Sequence, residues 1–317
     1  MSTAVLEEQL AVKIVRVVLF VVATVGNGFI IFLIFKSKKM RKEKFNLLIV
    51  LLAIGDIVLG MSALLRASQK MITNGHYTRL RCLALGSPFL YGAHIAQLAM
   101  FLIAMDRLDT IFRLHKKHVQ GVYFLYVLSI PFVLVVSLIP VAFLFYGIED
   151  HDVKYCMLFV NWTKKFGTFT FFEMICLNIS ILALYAVIFL LYHHKTKHLT
   201  NTPRNHFQSI VYGVVTIYLL TWCLPKWIMF GLKIANADKS LVAWLSFIVG
   251  ISEVFSACLN VIVYGYTHRD LRKSMREFCL KHLGYSIPIE NQRMKMKKKT
   301  IVKSDQICDG DVGFAVS

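Results

Sequence analysis

The chain has 317 residues, of which 57% are hydrophobic and only 17% are charged. A soluble domain carries about 25% charged and about 45–50% apolar residues, so the composition excludes an ordinary water-soluble fold. The formal net charge of +18 would suggest nucleic-acid binding in a soluble protein, whereas in a membrane protein basic loops report orientation.

Seven apolar stretches follow one another, each about as long as a helix that crosses a bilayer. They are residues 12–35, 45–65, 83–105, 122–146, 167–192, 207–232 and 241–266, here called spans 1 to 7. Strict alternation of apolar and polar residues, typical of a membrane β-strand, is absent from them. Because only helices and closed barrels satisfy the backbone in lipid, the sequence predicts an all-α membrane protein with a seven-transmembrane helix bundle.

The distribution of basic residues predicts the orientation. Of the 36 Lys and Arg, 24 follow spans 1, 3, 5 and 7, and six of these lie in the short segment 36–44. The other twelve, including Arg16 and Arg66, are assigned to the opposite side. Since cytoplasmic loops are rich in Lys and Arg, we expect residues 1–11 to be extracellular and residues 12–266 to form the bundle. The basic rim is interpreted as a surface beside anionic membrane lipid and not as a nucleic-acid site.

The segment after span 7 is predicted to contain an amphipathic cytoplasmic helix over residues 267–284, followed by a disordered basic cytoplasmic tail over 285–317. Leu271, Met275, Phe278 and Cys279 recur at helical spacing on one face, while basic residues lie elsewhere. This pattern is typical of a helix that lies on the inner leaflet. Cys279 is either a palmitoylation candidate or a small apolar contact.

Polar residues inside spans are costly in lipid and are therefore candidates for function. Asp56 lies in the middle of span 2, Asn27 in span 1 and Asn260 in the inner half of span 7. Their similar depth predicts a polar core network. The network is either structural, joining the helices, or part of a conformational switch.

Several motifs occur together in a fixed order. They are Gly26-Asn27, Leu52-Ala53 followed by Asp56, Cys82 at 25 residues before Arg107, Asp106-Arg107-Leu108 and Asn260 followed by Tyr264. Together they resemble the rhodopsin-like G-protein-coupled receptors over nearly the whole chain. The Asp-Arg-Leu variant and the short loops are most similar to the nematode serpentine chemoreceptors of class sx.

The resemblance implies a chemosensory receptor in the plasma membrane, including that of a sensory cilium. An extracellular small molecule or peptide and a heterotrimeric G protein would be its partners, without enzyme activity, cofactor or metal. Arg107 would leave Asp106 and meet the G protein as span 6 swings outward at Pro225, with Asn260 and Tyr264 rearranging nearby. Cys82 and Cys156 would form a disulfide on the exterior side.

The chain also departs from the family pattern. Trp222-Cys223-Leu224-Pro225 inverts the usual Cys-Trp pair, and Val261 stands where span 7 usually has proline. A receptor-like protein that binds or traffics without signalling therefore stays open as an alternative, as does a small transporter.

The resemblance places the ligand in the outer half of the bundle. Phe89 stands where amine receptors have an acidic residue, and 241–266 lacks the lysine of retinal proteins, so both ligand classes are disfavoured. Three charged residues fall in this half, namely Glu173, Lys226 and Glu253. Either a buried Lys–Glu pair joins the spans, or Lys226 meets an acidic or carbonyl ligand that a Glu positions. Further ligand-binding candidates are Phe89, Ala93, His94 and Trp227. Asn161 begins an exterior glycosylation sequon.

Overall fold

The computed structural model describes residues 10–73, 76–112, 122–153, 156, 161–196, 213, 215–235 and 237–282, which are helical almost throughout. The predicted tail over 285–317 and most of the extracellular segment 1–11 lie outside the described residues.

Five predicted spans are continuous helices that extend beyond their apolar stretches. They are span 1 (Leu10–Lys36), span 2 (Lys44–Ile72), span 3 (Arg79–Phe112), span 5 (Lys164–Thr196) and span 7 (Lys239–Thr267). With the helical part of span 6, six described helices are long and apolar enough to cross a membrane. The all-α class is confirmed. The short helix Lys38–Lys42 joins spans 1 and 2, and the Ser37 hydroxyl caps it by accepting a hydrogen bond from the Met40 amide.

Span 4 is divided, although the sequence predicts one helix over 122–146. Its two pieces are Val122–Val136 and Leu138–Leu144. Pro140 has no N–H to donate to the carbonyl of Val136, and a proline ring collides with the carbonyl four residues before it. The apolar pattern continues through this break, which is why hydrophobicity alone does not reveal it.

Span 6 contains a π-helical turn, Leu219–Cys223, followed by the α-helix Leu224–Ile234. Pro225 cannot donate to the carbonyl of Thr221, four residues earlier. The Ser252 hydroxyl of span 7 donates to that carbonyl over 3.0 Å. The backbone irregularity that proline imposes on span 6 is thus stabilised by the neighbouring helix.

Span 7 runs through Val261 as one helix, which agrees with the absence of proline there. A Cβ at Gly26 of span 1 would lie 2.8 Å from Val261 Cγ2. The missing side chain at Gly26 therefore provides the space for the branched side chain of Val261.

Spans 2 and 3 form the centre of the bundle. In the most apolar 18-residue stretch of each helix, 72% of the residues of span 2 and 67% of those of span 3 are buried inside the protein, compared with 28% for span 5. The two helices approach closely at Gly55 and Gly92. A Cβ at Gly92 would lie 2.8 Å from the Leu59 amide nitrogen and 2.9 Å from the Gly55 carbonyl oxygen. Glycine is required here because the obstructing atoms belong to backbone.

We expect Gly92→Ala to lower the free energy of unfolding by about 1–3 kcal/mol, the usual cost of overpacking. The added methyl group must push span 2 away from span 3. Thermal unfolding of the purified protein measures the effect. Gly28→Ala is the matched control, since no atom lies within 4 Å of the Cβ it would add. Equal midpoints for the two variants would contradict the close approach.

In the described part of the segment after span 7, residues 268–282, the helix Arg269–His282 has 14 residues. It lies within the predicted segment 267–284. Its thiol, Cys279, is exposed and free.

Candidate functional site

A buried ion pair lies in the half of spans 6 and 7 that is predicted to be nearer the exterior, here called the outer half. Lys226 follows Pro225, and its Nζ lies 2.6 Å from Oε1 of Glu253, with side-chain exposures of 5% and 1%. An ammonium has three N–H donors and a carboxylate has two acceptor oxygens, so this one contact leaves both groups with hydrogen-bonding capacity. The ammonium also lies 4.3 Å from the ring centroid of Trp222. Of the two Glu residues considered for Lys226, the structure places Glu253 against it.

Glu173 of span 5 contacts His94 of span 3 instead. His94 Nε2 lies 3.1 Å from Glu173 Oε2, and His94 Nδ1 lies 2.8 Å from the Leu90 carbonyl oxygen. A carbonyl only accepts, so Nδ1 carries a proton and donates it there. Hydrogen bonding to Glu173 then needs one further proton, on Nε2 or on the carboxyl group. This contact joins spans 3 and 5.

Spans 1, 2 and 7 are joined deeper in the bundle. The Asn260 amide donates to Asp56 Oδ2 over 2.9 Å. Asn27 donates instead to two backbone carbonyls, of Ala23 at 2.9 Å and of Ala257 at 3.2 Å. The side chains of Asp56 and Asn260 are therefore hydrogen-bonded to each other directly. The Asn27 side chain is bonded instead to the backbone of span 7, at the Ala257 carbonyl.

A second polar cluster joins spans 3, 5 and 6, and the sequence analysis missed it. The Gln97 amide and the Tyr218 hydroxyl both donate to Asn178 Oδ1, over 2.7 and 2.6 Å. All three residues are buried. A signal was present, because Gln97 and Asn178 are amides inside apolar spans.

The inner end of span 3 presents Asp106 and Arg107. Arg107 Nε lies 4.0 Å from Asp106 Oδ2, and its guanidinium carbon lies 3.4 Å from the ring centroid of Phe45 in span 2. The Tyr264 hydroxyl, at the inner end of span 7, contacts the Met100 sulfur of span 3 at 3.9 Å. Of the predicted coupling residues, Asp106, Arg107 and Tyr264 thus lie at the same end of the bundle, with Arg107 in contact with span 2. Asn260 lies deeper, against Asp56, and Pro225 lies beside Lys226.

The three predicted apolar ligand contacts lie in different surroundings. Phe89 is buried under the guanidinium of Arg66, which lies 4.4 Å from its ring centroid. Ala93 is buried within span 3, and Trp227 is half-buried in span 6. Arg16, which the sequence analysis counted among exterior basic residues, is buried in span 1. Its position within an apolar stretch was the signal for such a residue.

The expected disulfide between Cys82 and Cys156 is confirmed. Nearby, the Arg79 backbone amide donates to the His151 carbonyl over 2.9 Å, and the Val153 backbone amide donates to the Tyr77 carbonyl over 2.8 Å. These bonds fasten the loop after span 4 to the beginning of span 3. Asn161, the glycosylation candidate, is only 8% exposed.

Comparisons of the sequence with known proteins gave the following matches. Residues 20–279 match the family described as serpentine type 7TM GPCR chemoreceptor Srsx. A C-C chemokine receptor type 8 of Macaca mulatta is 21% identical over 308 residues, covering 90% of this chain and 85% of that receptor. The C-C chemokine receptor type 8 of Homo sapiens is 23% identical over 303 residues, covering 86% and 82%.

Proposed function

This chain belongs to the Srsx family of serpentine seven-transmembrane chemoreceptors and is a G-protein-coupled receptor, and from that premise we propose how it works. A receptor of this family has an extracellular ligand and a G protein as partners. The proposal concerns the residues that carry the signal between them. The observation that carries it is the buried Lys226–Glu253 pair, which joins spans 6 and 7 at 2.6 Å.

We place the receptor in the plasma membrane with its N-terminus outside. The six basic residues of segment 36–44 support this orientation, since such short loops face the cytoplasm. The disulfide between Cys82 and Cys156 lies at the other end of the bundle, and disulfides form on the oxidising side of a membrane. In this arrangement 1–11 is extracellular and 12–266 is the bundle. The helix Arg269–His282, within the segment 267–284, lies on the inner leaflet and is anchored by palmitoylation of Cys279, and 285–317 are on the cytoplasmic side.

Ligand binding acts on the ion pair in the outer half. Lys226 and Glu253 keep unused hydrogen-bonding capacity, so a polar ligand competes for either group and changes their contact. The pair of His94 and Glu173 lies in the same half and offers a second polar contact. Trp227, directly after Lys226, and Ala93, directly before His94, are proposed as apolar contacts. A ligand that binds one arrangement of the pair better shifts the population towards it.

The change reaches the inner end through span 6. Pro225 lies directly before Lys226, and the π-helical turn Leu219–Cys223 lies directly before that region. A displacement of Lys226 therefore bends span 6 where its backbone hydrogen bonding is already irregular. Tyr218 transmits the movement to Asn178 and Gln97. Arg107 leaves Asp106 and Phe45 and meets the G protein in the opened cavity, while Asn260 and Tyr264 rearrange.

The test is a screen of small molecules and peptides on cells that express the full chain, with Gα–Gβγ dissociation as the readout. Surface expression is measured in parallel. We expect active compounds to lose their effect in the Arg107→Ala variant. Compounds that bind the surface receptor without dissociating the G protein would support the second candidate, a receptor-shaped binding or trafficking protein. That candidate is favoured by Val261, through which span 7 runs as one continuous helix.

A further inference from the structure

The ring of Phe45 lies where spans 2, 3 and 7 meet at the inner end of the bundle. The guanidinium carbon of Arg107, in span 3, lies 3.4 Å from its ring centroid. The ring of His268, directly after span 7, lies 5.7 Å from the same centroid and is nearly parallel to it, at 21°. One aromatic side chain of span 2 is therefore in contact with the proposed coupling arginine and with the end of span 7.

The contact between Arg107 and Phe45 is a close one. A cation and an aromatic ring attract each other within about 6 Å of the ring centroid, and 3.4 Å is van der Waals contact. The flat guanidinium of arginine can stack on the whole face of a ring. By comparison, the 4.0 Å between Arg107 Nε and Asp106 Oδ2 is at the limit of a direct ion pair. Both Arg107 and Phe45 are half-buried, which limits the competition from water.

Phe45 is held in position by its neighbour in the first turn of span 2. The side-chain amide of Asn46 donates to the Met40 carbonyl over 2.9 Å and to Glu43 Oε2 over 3.1 Å. Asn46 and Met40 are both buried, at 1% and 2% exposure. The beginning of span 2 is thus fastened to the short helix before it. Phe45 therefore stays in place if Arg107 moves, and the contact is broken.

Breaking this contact opposes signalling. In the proposed mechanism Arg107 leaves Phe45 before it meets the G protein, so the contact exists in one arrangement of the receptor and is absent from the other. An interaction made in only one of two arrangements shifts the population towards that arrangement. A partly exposed cation–π contact corresponds to a population ratio of about two- to fivefold.

We propose that Phe45 is a positioning residue that restrains Arg107 in the resting arrangement and thereby limits G-protein activation in the absence of ligand. The proposal rests on the proposed receptor function and adds the regulation of its coupling residue. It concerns the receptor without ligand, so no ligand has to be identified to test it.

The first variant is Phe45→Leu, which removes the aromatic face and keeps an apolar side chain. The full chain is expressed in cells with a panel of Gα subunits, and Gα–Gβγ dissociation without added compound is normalised to surface receptor. We expect this ligand-independent activation to rise about two- to fivefold. Phe45→Tyr keeps the aromatic face and should show a clearly smaller increase. In the Arg107→Ala background, Phe45→Leu should cause no increase.

Two further variants separate the contact with Arg107 from other effects. Phe32→Leu removes a phenylalanine ring at the inner end of span 1, which lies 5.3 Å from the Lys36 ammonium, and it should leave ligand-independent activation unchanged. His268→Leu removes the second ring that contacts Phe45 but leaves Arg107 stacked on it. It should therefore raise activation much less than Phe45→Leu.

The contact itself is measured without any signalling. Nuclei that lie over the face of an aromatic ring have their resonances shifted upfield by the ring current. In purified receptor labelled with 15N-arginine and held in lipid nanodiscs, we expect an upfield-shifted guanidinium signal that disappears in Arg107→Ala. It should lose its shift in Phe45→Leu and keep it in Phe45→Tyr. The unfolding midpoint of each variant shows whether it is folded.

The proposal would be overturned if Phe45→Leu activated the G protein no more than the wild type, or if Phe32→Leu or His268→Leu raised activation as much. An Arg107 signal that is unchanged in folded Phe45→Leu would also overturn it. If the wild type responded to a compound through Arg107 while Phe45→Leu left the basal level unchanged, only the restraint would be wrong. If no variant activated a G protein under any condition, the proposed receptor function would fail, and the restraint with it.

Discussion

Lys226→Met is expected to lower the free energy of unfolding of the receptor by about 3–5 kcal/mol and to abolish its response to ligand. Glu253 is only 1% exposed and lies 2.6 Å from the lysine ammonium, so the substitution leaves a buried carboxylate without its cation. Breaking a buried pair by removing one partner costs this much because the remaining charge is neither hydrated nor compensated. Thermal unfolding in detergent and G-protein activation at matched surface expression measure the two effects.

The double variant Lys226→Met/Glu253→Gln separates stability from ligand recognition. Replacing both members removes the stranded charge, so most of the lost stability should return. The response to ligand should stay absent if Lys226 contacts the ligand directly. Lys70→Met, a change of the same type at an exposed position near the outer end of span 2, is the matched control. A normal dose–response curve in Lys226→Met at normal surface expression would rule out the role of the pair.

Arg107→Ala is expected to abolish G-protein activation while leaving the receptor folded and at the cell surface. Arg107 is 27% exposed, and its contacts include a 4.0 Å approach to Asp106 and stacking on Phe45 at 3.4 Å. Partly exposed ion pairs contribute about 0–1 kcal/mol, and exposed cation–π contacts about 0.5–1 kcal/mol. The loss of stability should therefore be small compared with the loss of signalling, because the substitution removes the guanidinium that is proposed to meet the G protein.

The measurement is Gα–Gβγ dissociation with a compound from the screen, normalised to surface receptor. Arg41→Ala removes an exposed arginine from the short helix between spans 1 and 2, and it should retain activity. If Arg107→Ala responded as strongly as the wild type, Arg107 would not be the coupling residue. If both variants lost activity equally, general basic charge at the cytoplasmic face would explain the effect.

The membrane class and the seven spans could be predicted from sequence because lipid imposes simple requirements. A backbone in hydrocarbon must form its hydrogen bonds internally, so each crossing needs a long apolar helix. Each such stretch can be recognised in the sequence without reference to the others. The same requirement makes Asp56, Lys226 and Glu253 conspicuous, since a polar group inside a span is rare. The joint order of motifs from Gly26 to Tyr264 was enough to indicate the receptor family.

Which of these polar groups meet was decided by tertiary structure alone. Lys226 pairs with Glu253, and Glu173 with His94, because the rotation of each helix selects the neighbours of its side chains. The cluster of Gln97, Asn178 and Tyr218 likewise depends on three helices at once. Hydrophobic periodicity is local and specifies at most the face that a helix buries. The rotation of each helix and its distance from the next follow from packing between segments that are distant in sequence. At Gly55 and Gly92, for example, the absence of side chains lets the backbones of spans 2 and 3 approach closely. A single stretch of sequence does not specify which other segments it will pack against.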